Sequence, residues 1–135
     1  MKPYQLTVRD LMTTAVVTIR ASESIREAHA EMELGVMRHL PVVDDRGRLV
    51  GVLSDRDVIG SLAGRKPRHV AEVMTRDVRT IRPTAPAHTA AGIMLDEKIG
   101  SLPVVDDEGV LVGIVTQTDF LAVSRRALLG QSLER

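Results

Sequence analysis

The feature that most constrains this chain is that it repeats itself. HLPVVDDRGRLVGVLSDRDVI, from His39 to Ile59, returns as SLPVVDDEGVLVGIVTQTDFL, from Ser101 to Leu121, at an offset of 62 residues. The same offset superposes VRDLMT (Val8–Thr13) on VAEVMT (Val70–Thr75), and VVTIR (Val16–Arg20) on VRTIR (Val78–Arg82). No gap is needed from Val8 to Ile59, and roughly 20 of the 52 aligned positions are identical, which marks a duplicated unit. The junction falls around Gly64 to His69. A unit of about 62 residues is marginal as an independent fold, so the two copies are expected to pack on each other around a pseudo-twofold axis, with related clefts between them.

Each copy reads as strand–helix–strand–strand–helix, preceded by a short helical turn at Val8–Met12 or Val70–Met74. VVTI and VRTI are short β-branched runs and are expected as strands. Ser22-Glu23-Ser24 supplies an N-cap for a helix carrying Ile25, Ala28 and Met32 at helical spacing up to Leu34. In the second copy Thr84 and Pro86 start the helix, and Ala87, Ala90, Ala91, Met94 and Leu95 continue it. Gly35 and Gly100 are expected near the helix ends. The runs flanking Asp-Asp-x-Gly form a hairpin, with Asp opening the turn and Gly taking the left-handed position. These strands are nearly continuous in apolar residues, which implies cover on both faces. The last helix carries Val58, Ile59 and Leu62 in one copy, and Phe120, Leu121, Val123 and Leu128 in the other. Met12 and Met74 recur at matching positions and are expected in the core.

Composition excludes several functions. With 18 basic and 18 acidic side chains the formal net charge is zero, so bulk attraction to nucleic acid is not expected. Tyr4 and Phe120 are the only aromatic residues, too few for rows of base-stacking rings. The absence of cysteine removes disulfides, thiol catalysis and Cys-based metal sites. No apolar run is long enough to span a bilayer and the N-terminus lacks a signal-peptide core, so a cytoplasmic location without membrane association is expected. His29, His39, His69 and His88 show no metal-ligand spacing, and no nucleophile elbow surrounds Ser54, so neither a metal site nor an enzyme is expected.

The V-x-[DE]-[LV]-M-T openings, the L-P-V-V-D-D-x-G hairpins and the paired G-h-h-[ST]-x-x-D patterns (h, an apolar residue), at Gly51–Asp57 and Gly113–Asp119, resemble a tandem pair of cystathionine-β-synthase (CBS) domains, a Bateman module. The resemblance covers Val8 to about Ser124. It implies an α+β fold with one CBS unit at 8–64, a second at 70–124, and a helix end and tail at 125–135. It also implies a regulatory module, not an enzyme, that binds an adenosine-containing ligand in clefts between the copies. AMP, ADP or ATP is expected ahead of NAD or S-adenosylmethionine. The family's ribose-binding carboxylate maps onto Asp57 and Asp119, where a carboxylate at a helix start accepts two hydrogen bonds from a vicinal diol. The family's hydroxyl maps onto Ser54 and Thr116, beside backbone N–H groups that suit a phosphate.

Plainer readings exist for the same residues: Asp57 and Asp119 as helix-start charges, Ser54 and Thr116 as N-caps, each compatible with ligand binding. Arg38, His39 and Arg56 are the basic groups nearest the first motif, as phosphate ligands or as solvated surface charges. The second copy has Gly100, Ser101 and Thr118 in their places. The two clefts are therefore expected to differ, with a phosphorylated ligand favoured where the first copy's cations reach. The long final helix, with Leu121, Leu128 and Leu129, suggests a homodimer surface. No effector domain is visible in the sequence, so the expected output acts on a separate partner protein. A dimeric scaffold or stress-response protein that binds no nucleotide is the alternative.

Overall fold

The duplicated pattern fixes a duplicated order of elements. The structure, a computed structural model, describes residues 2–35, 37–64 and 68–133. After a 3-10 turn at Pro3–Gln5 come α1 (Val8–Leu11), β1 (Ile19–Arg20), α2 (Ile25–Gly35), β2 (His39–Val43), β3 (Leu49–Ser54) and α3 (Asp55–Leu62). The second copy gives α4 (Val70–Val73), α5 (Ala87–Glu97), β4 (Ser101–Val105), β5 (Leu111–Thr116) and α6 (Gln117–Leu128). Half of the expected junction, residues 65–67, lies outside the described residues.

The compact units are out of phase with the sequence repeats. Val17–Val78 form one, here the middle unit; the residues through Val16 and those from Arg79 onward form the other, here the terminal unit. Each repeat thus lends its opening segment to the unit that holds the other repeat's hairpin. In the middle unit Thr75 exchanges two backbone hydrogen bonds of 2.9 Å with Val52 of β3. In the terminal unit Thr13 does the same with Ile114 of β5, at 2.8 and 2.9 Å.

The middle unit holds a three-stranded sheet in the order β1-β2-β3, with β1 parallel to β2 and β2 antiparallel to β3. Its core joins Ile19, Ile25, Ala28, Met32, Leu40, Val42, Leu53, Val58, Val70 and Met74. The terminal unit holds the β4–β5 hairpin over Leu6, Val8, Met12, Ala90, Met94, Leu102, Val104 and Val115. Met12 and Met74 are therefore core residues, as expected. So is Leu133, which the sequence did not suggest: the chain turns at Gly130 (φ 72°), the Arg126 guanidinium donates to the Ser132 carbonyl, and Leu133 returns into the core.

The hairpin turns follow the expected chemistry. Asp44 Oδ1 accepts from the Arg46 and Arg48 N–H groups, and Asp106 Oδ1 from those of Glu108 and Val110. Gly47 and Gly109 take the left-handed position at φ 79° and 83°. Three expectations need correction. The VVTI and VRTI runs shrink to Ile19–Arg20 and to a single parallel bridge between Ile81 and Val104. Prolines are the cause: Pro41 and Pro103 offer no N–H to extend the ladder backwards. Forwards, Ala21 N–H still reaches the Val43 carbonyl at 3.1 Å, but Pro83 stands at the equivalent place. The helix of the second copy stops at Lys98, itself left-handed at φ 55°, rather than at Gly100. Finally, β3 and β5 alternate buried with half-buried positions, so only β2 and β4 are covered continuously.

Candidate functional site

Ser54 and Thr116 end their strands with extended backbones, φ −97° and −127°, so each stands as the N-cap of the helix that follows. Ser54 Oγ accepts the Asp57 N–H at 3.1 Å, and the Asp57 carboxylate accepts the Ser54 N–H through Oδ2 at 3.4 Å. In the second copy Thr116 Oγ1 accepts the Asp119 N–H at 3.4 Å, and Asp119 Oδ2 accepts the Thr116 N–H at 2.8 Å. These are reciprocal capping boxes, and each satisfies two backbone donors at a helix start. The spacing S/T-x-x-D therefore has a structural role of its own. It also fixes both carboxylates, half-buried, with one oxygen committed to the cap.

Hairpin register brings the next candidates alongside. His39 pairs with Ser54 across β2–β3, and Ser101 with Thr116 across β4–β5. The Arg38 carbonyl accepts the Asp55 N–H at 2.8 Å, and the Gly100 carbonyl accepts the Gln117 N–H at 3.2 Å, which seats each helix on the strand end before it. His39 and Arg56 are exposed. Among the described residues no carboxylate pairs with Arg38 or Arg56, although five other arginines pair with one. The Arg38 side chain lines an open concavity of about 520 Å³ between α2 and α3, with Met32, Met37, Asp55 and Val58; Ser54 and Asp57 are not part of that lining. Ser54, Asp57 and His39 thus form one cluster, Thr116, Asp119 and Ser101 the equivalent one, and Arg38 lines the neighbouring α2–α3 concavity.

Sequence reasoning missed two features. Thr13 Oγ1 donates to Asp119 Oδ1 at 3.4 Å, across 106 residues of sequence. Gly51 and Gly113, which open the G-h-h-[ST]-x-x-D patterns, leave room for the opening segments. A Cβ at Gly51 would lie 2.7 Å from the Thr75 carbonyl oxygen, and one at Gly113 would lie 3.0 Å from that of Thr13. A second concavity, about 530 Å³, is lined by Glu23, Glu27, Glu31, Asp44 and Asp45 with Arg20; Glu27 and Glu31, four apart, mark one face of α2. Among the described residues no group of three or more His, Cys, Asp or Glu is arranged to hold a metal ion. No helix there is long and apolar enough to cross a membrane.

Known proteins share this arrangement. A CBS domain family model matches residues 8–64 and 70–126. Homoserine O-acetyltransferase of Methanocorpusculum labreanum is 42% identical over 112 residues; the match covers 82% of this chain but 23% of that protein, so the chain spans about a quarter of that relative's length. The CBS domain pair of protein MJ0100, solved with 5′-methylthioadenosine and S-adenosyl-L-methionine, superposes with a TM-score of 0.77 at 34% identity, covering 90% of this chain and 98% of that one. CBSX2 in complex with AMP gives 0.81 at 30% identity, with the same coverage of 90% and 98%. With two matched copies, two mixed α+β units and these neighbours, the chain belongs to the CBS domain family and carries a tandem pair of CBS domains.

Proposed function

We infer that this chain is a regulatory module that binds an adenosine-containing nucleotide and transmits its presence to a separate protein. The observation that carries the reading is the Asp57 carboxylate. Its Oδ2 is held by the cap, and among the described residues no donor engages Oδ1. An oriented carboxylate oxygen is what a ribose diol requires. His39 stands in register beside Ser54, and Arg56 follows one residue after the first helical position, so an imidazole and a guanidinium charge are at hand for a phosphate. Asp119, Thr116 and Ser101 repeat the cluster without these basic side chains, which favours AMP, ADP or ATP at Asp57 and a neutral nucleoside group at Asp119. The neighbours bound to AMP and to 5′-methylthioadenosine support the ligand class.

Ile59 and Leu121 hold equivalent positions in the two repeats and are 62% and 69% exposed; Leu128 is 88% exposed. Repetition of the same exposed apolar position favours an isologous homodimer. Thermal shift with AMP, ATP, NAD and S-adenosylmethionine tests the ligand. A nucleotide at 100 times its dissociation constant stabilises by about 2.7 kcal/mol, and Asp57→Ala removes that gain. No shift with any of the four favours a scaffold that binds no nucleotide. Sedimentation equilibrium tests the dimer.

A further inference from the structure

The two carboxylates are built alike but are not equally available. In the terminal unit Asp119 is engaged at both oxygens: Oδ2 accepts from the Thr116 N–H and hydroxyl, at 2.8 and 3.1 Å, and Oδ1 accepts from the Thr13 hydroxyl at 3.4 Å. In the middle unit Thr75 stands at the position equivalent to Thr13, with the same pair of backbone bonds to the neighbouring strand. Its hydroxyl makes no hydrogen bond to Asp57 among the described residues. The backbone frames match, so the difference lies in the side chains. Thr13 is moreover held firmly: its N–H and carbonyl both bond to Ile114, and Met12 before it is buried. Only the side-chain rotamer of Thr13 then remains to be set for its hydroxyl to meet Asp119.

We propose that the Thr13 hydroxyl is an internal competitor for Asp119, which weakens ligand binding in the terminal unit and leaves Asp57 as the site that fills first. This rests on the nucleotide-binding reading above. A ribose hydroxyl arriving at Asp119 Oδ1 displaces or shares a hydrogen bond already made, whereas at Asp57 Oδ1 it makes a new one. Thr13 is on this account a positioning residue, acting through Asp119.

The test is calorimetric titration with adenosine and with AMP. Asp57→Asn isolates the Asp119 site, and Thr13→Val removes the hydroxyl while keeping the side-chain shape and the backbone bridge. In the Asp57→Asn background, Thr13→Val is expected to tighten adenosine binding about three- to tenfold, the worth of one hydrogen bond released from competition. Thr13→Ser, which restores the hydroxyl, returns the affinity to that of Asp57→Asn alone. Unchanged or weaker binding in Thr13→Val, or Thr13→Ser behaving like Thr13→Val, overturns the proposal while the nucleotide reading stands. Failure of the parent protein to bind either probe overturns both.

Discussion

Replacing Gly51 with alanine sets a methyl group against a backbone carbonyl. The new Cβ would lie 2.7 Å from the Thr75 oxygen, 2.8 Å from Met74 Sδ and 3.1 Å from Met74 Cγ. The methionine can swing aside, but the carbonyl cannot, because it accepts the Val52 N–H at 2.9 Å and Thr75 donates back at 2.9 Å. Overpacking of this kind costs about 1–3 kcal/mol. Loosening the bridge risks two hydrogen bonds at about 0.5–1.5 kcal/mol each. Restricting the unfolded chain returns about 0.4–1 kcal/mol. The net expectation is a loss of about 1–5 kcal/mol. Gly60, inside α3, is the matched control: nothing lies within 4 Å of its added Cβ. Gly60→Ala should stabilise by about 0.5–1 kcal/mol through helix propensity. Urea unfolding at constant m reads both changes as midpoint shifts. A Gly51→Ala midpoint within 0.5 kcal/mol of the parent's, or of the same sign as Gly60→Ala's, refutes the claim that this glycine makes room for the other repeat's opening segment.

Ser54→Ala removes the acceptor for the Asp57 N–H and should cost about 1 kcal/mol in the same assay. Leu133→Ala empties a core position and should cost about 2 kcal/mol, the low end for a buried leucine, because a segment near the chain end can relax into the space. The backbone N–H of His69 holds the Glu72 carboxyl below its ordinary 4.5, and the Arg48 N–H holds that of Asp44 below its ordinary 3.8. A depressed carboxyl stabilises the fold in full above its ordinary value and loses that contribution as pH falls through its lowered one. The urea midpoint should therefore be insensitive to these two groups from pH 5 upward and fall below about pH 4.5, and Glu72→Gln should flatten part of that fall.

The hairpin turns, the helix starts and the N-cap roles of Ser54 and Thr116 were legible because each is a local device, decided within five residues. The first strand was over-read for an equally local reason. β-Branched residues propose a strand, but Pro41, Pro83 and Pro103 remove the donors it needs, and two of these sit on the partner strand. The end of α5 was misplaced because a lysine, not a glycine, takes the left-handed conformation. The crossing of the opening segments was hidden by the repetition itself. Met12-Thr13 and Met74-Thr75 are identical, as are Gly51 and Gly113, so hydrophobic pattern gives either opening the same fit to either hairpin. Thr13–Asp119 was invisible for the same reason: the offset pairs each residue with its copy, not with its contact.

That crossing bears on how such a module could signal. Within the terminal unit, the neighbourhood of Asp119 is made by residues from both repeats: Thr116 and Ser101 from the second, Thr13 from the first. A ligand that competes with Thr13 for Asp119 acts on the first repeat's opening segment directly. Four residues on, at Val17, the same segment enters the middle unit, and the chain returns after Val78. Each unit is thus covalently continuous, over a few residues, with the opening segment that completes the other. A ligand can shift the equilibrium of such a pair only by its differential affinity for the alternative states. Here that differential has a definite source: the Thr13 hydroxyl is bonded to Asp119 in one arrangement and displaced by the ribose in the other, while the Thr13–Ile114 backbone bonds hold the opening segment on β5 in both.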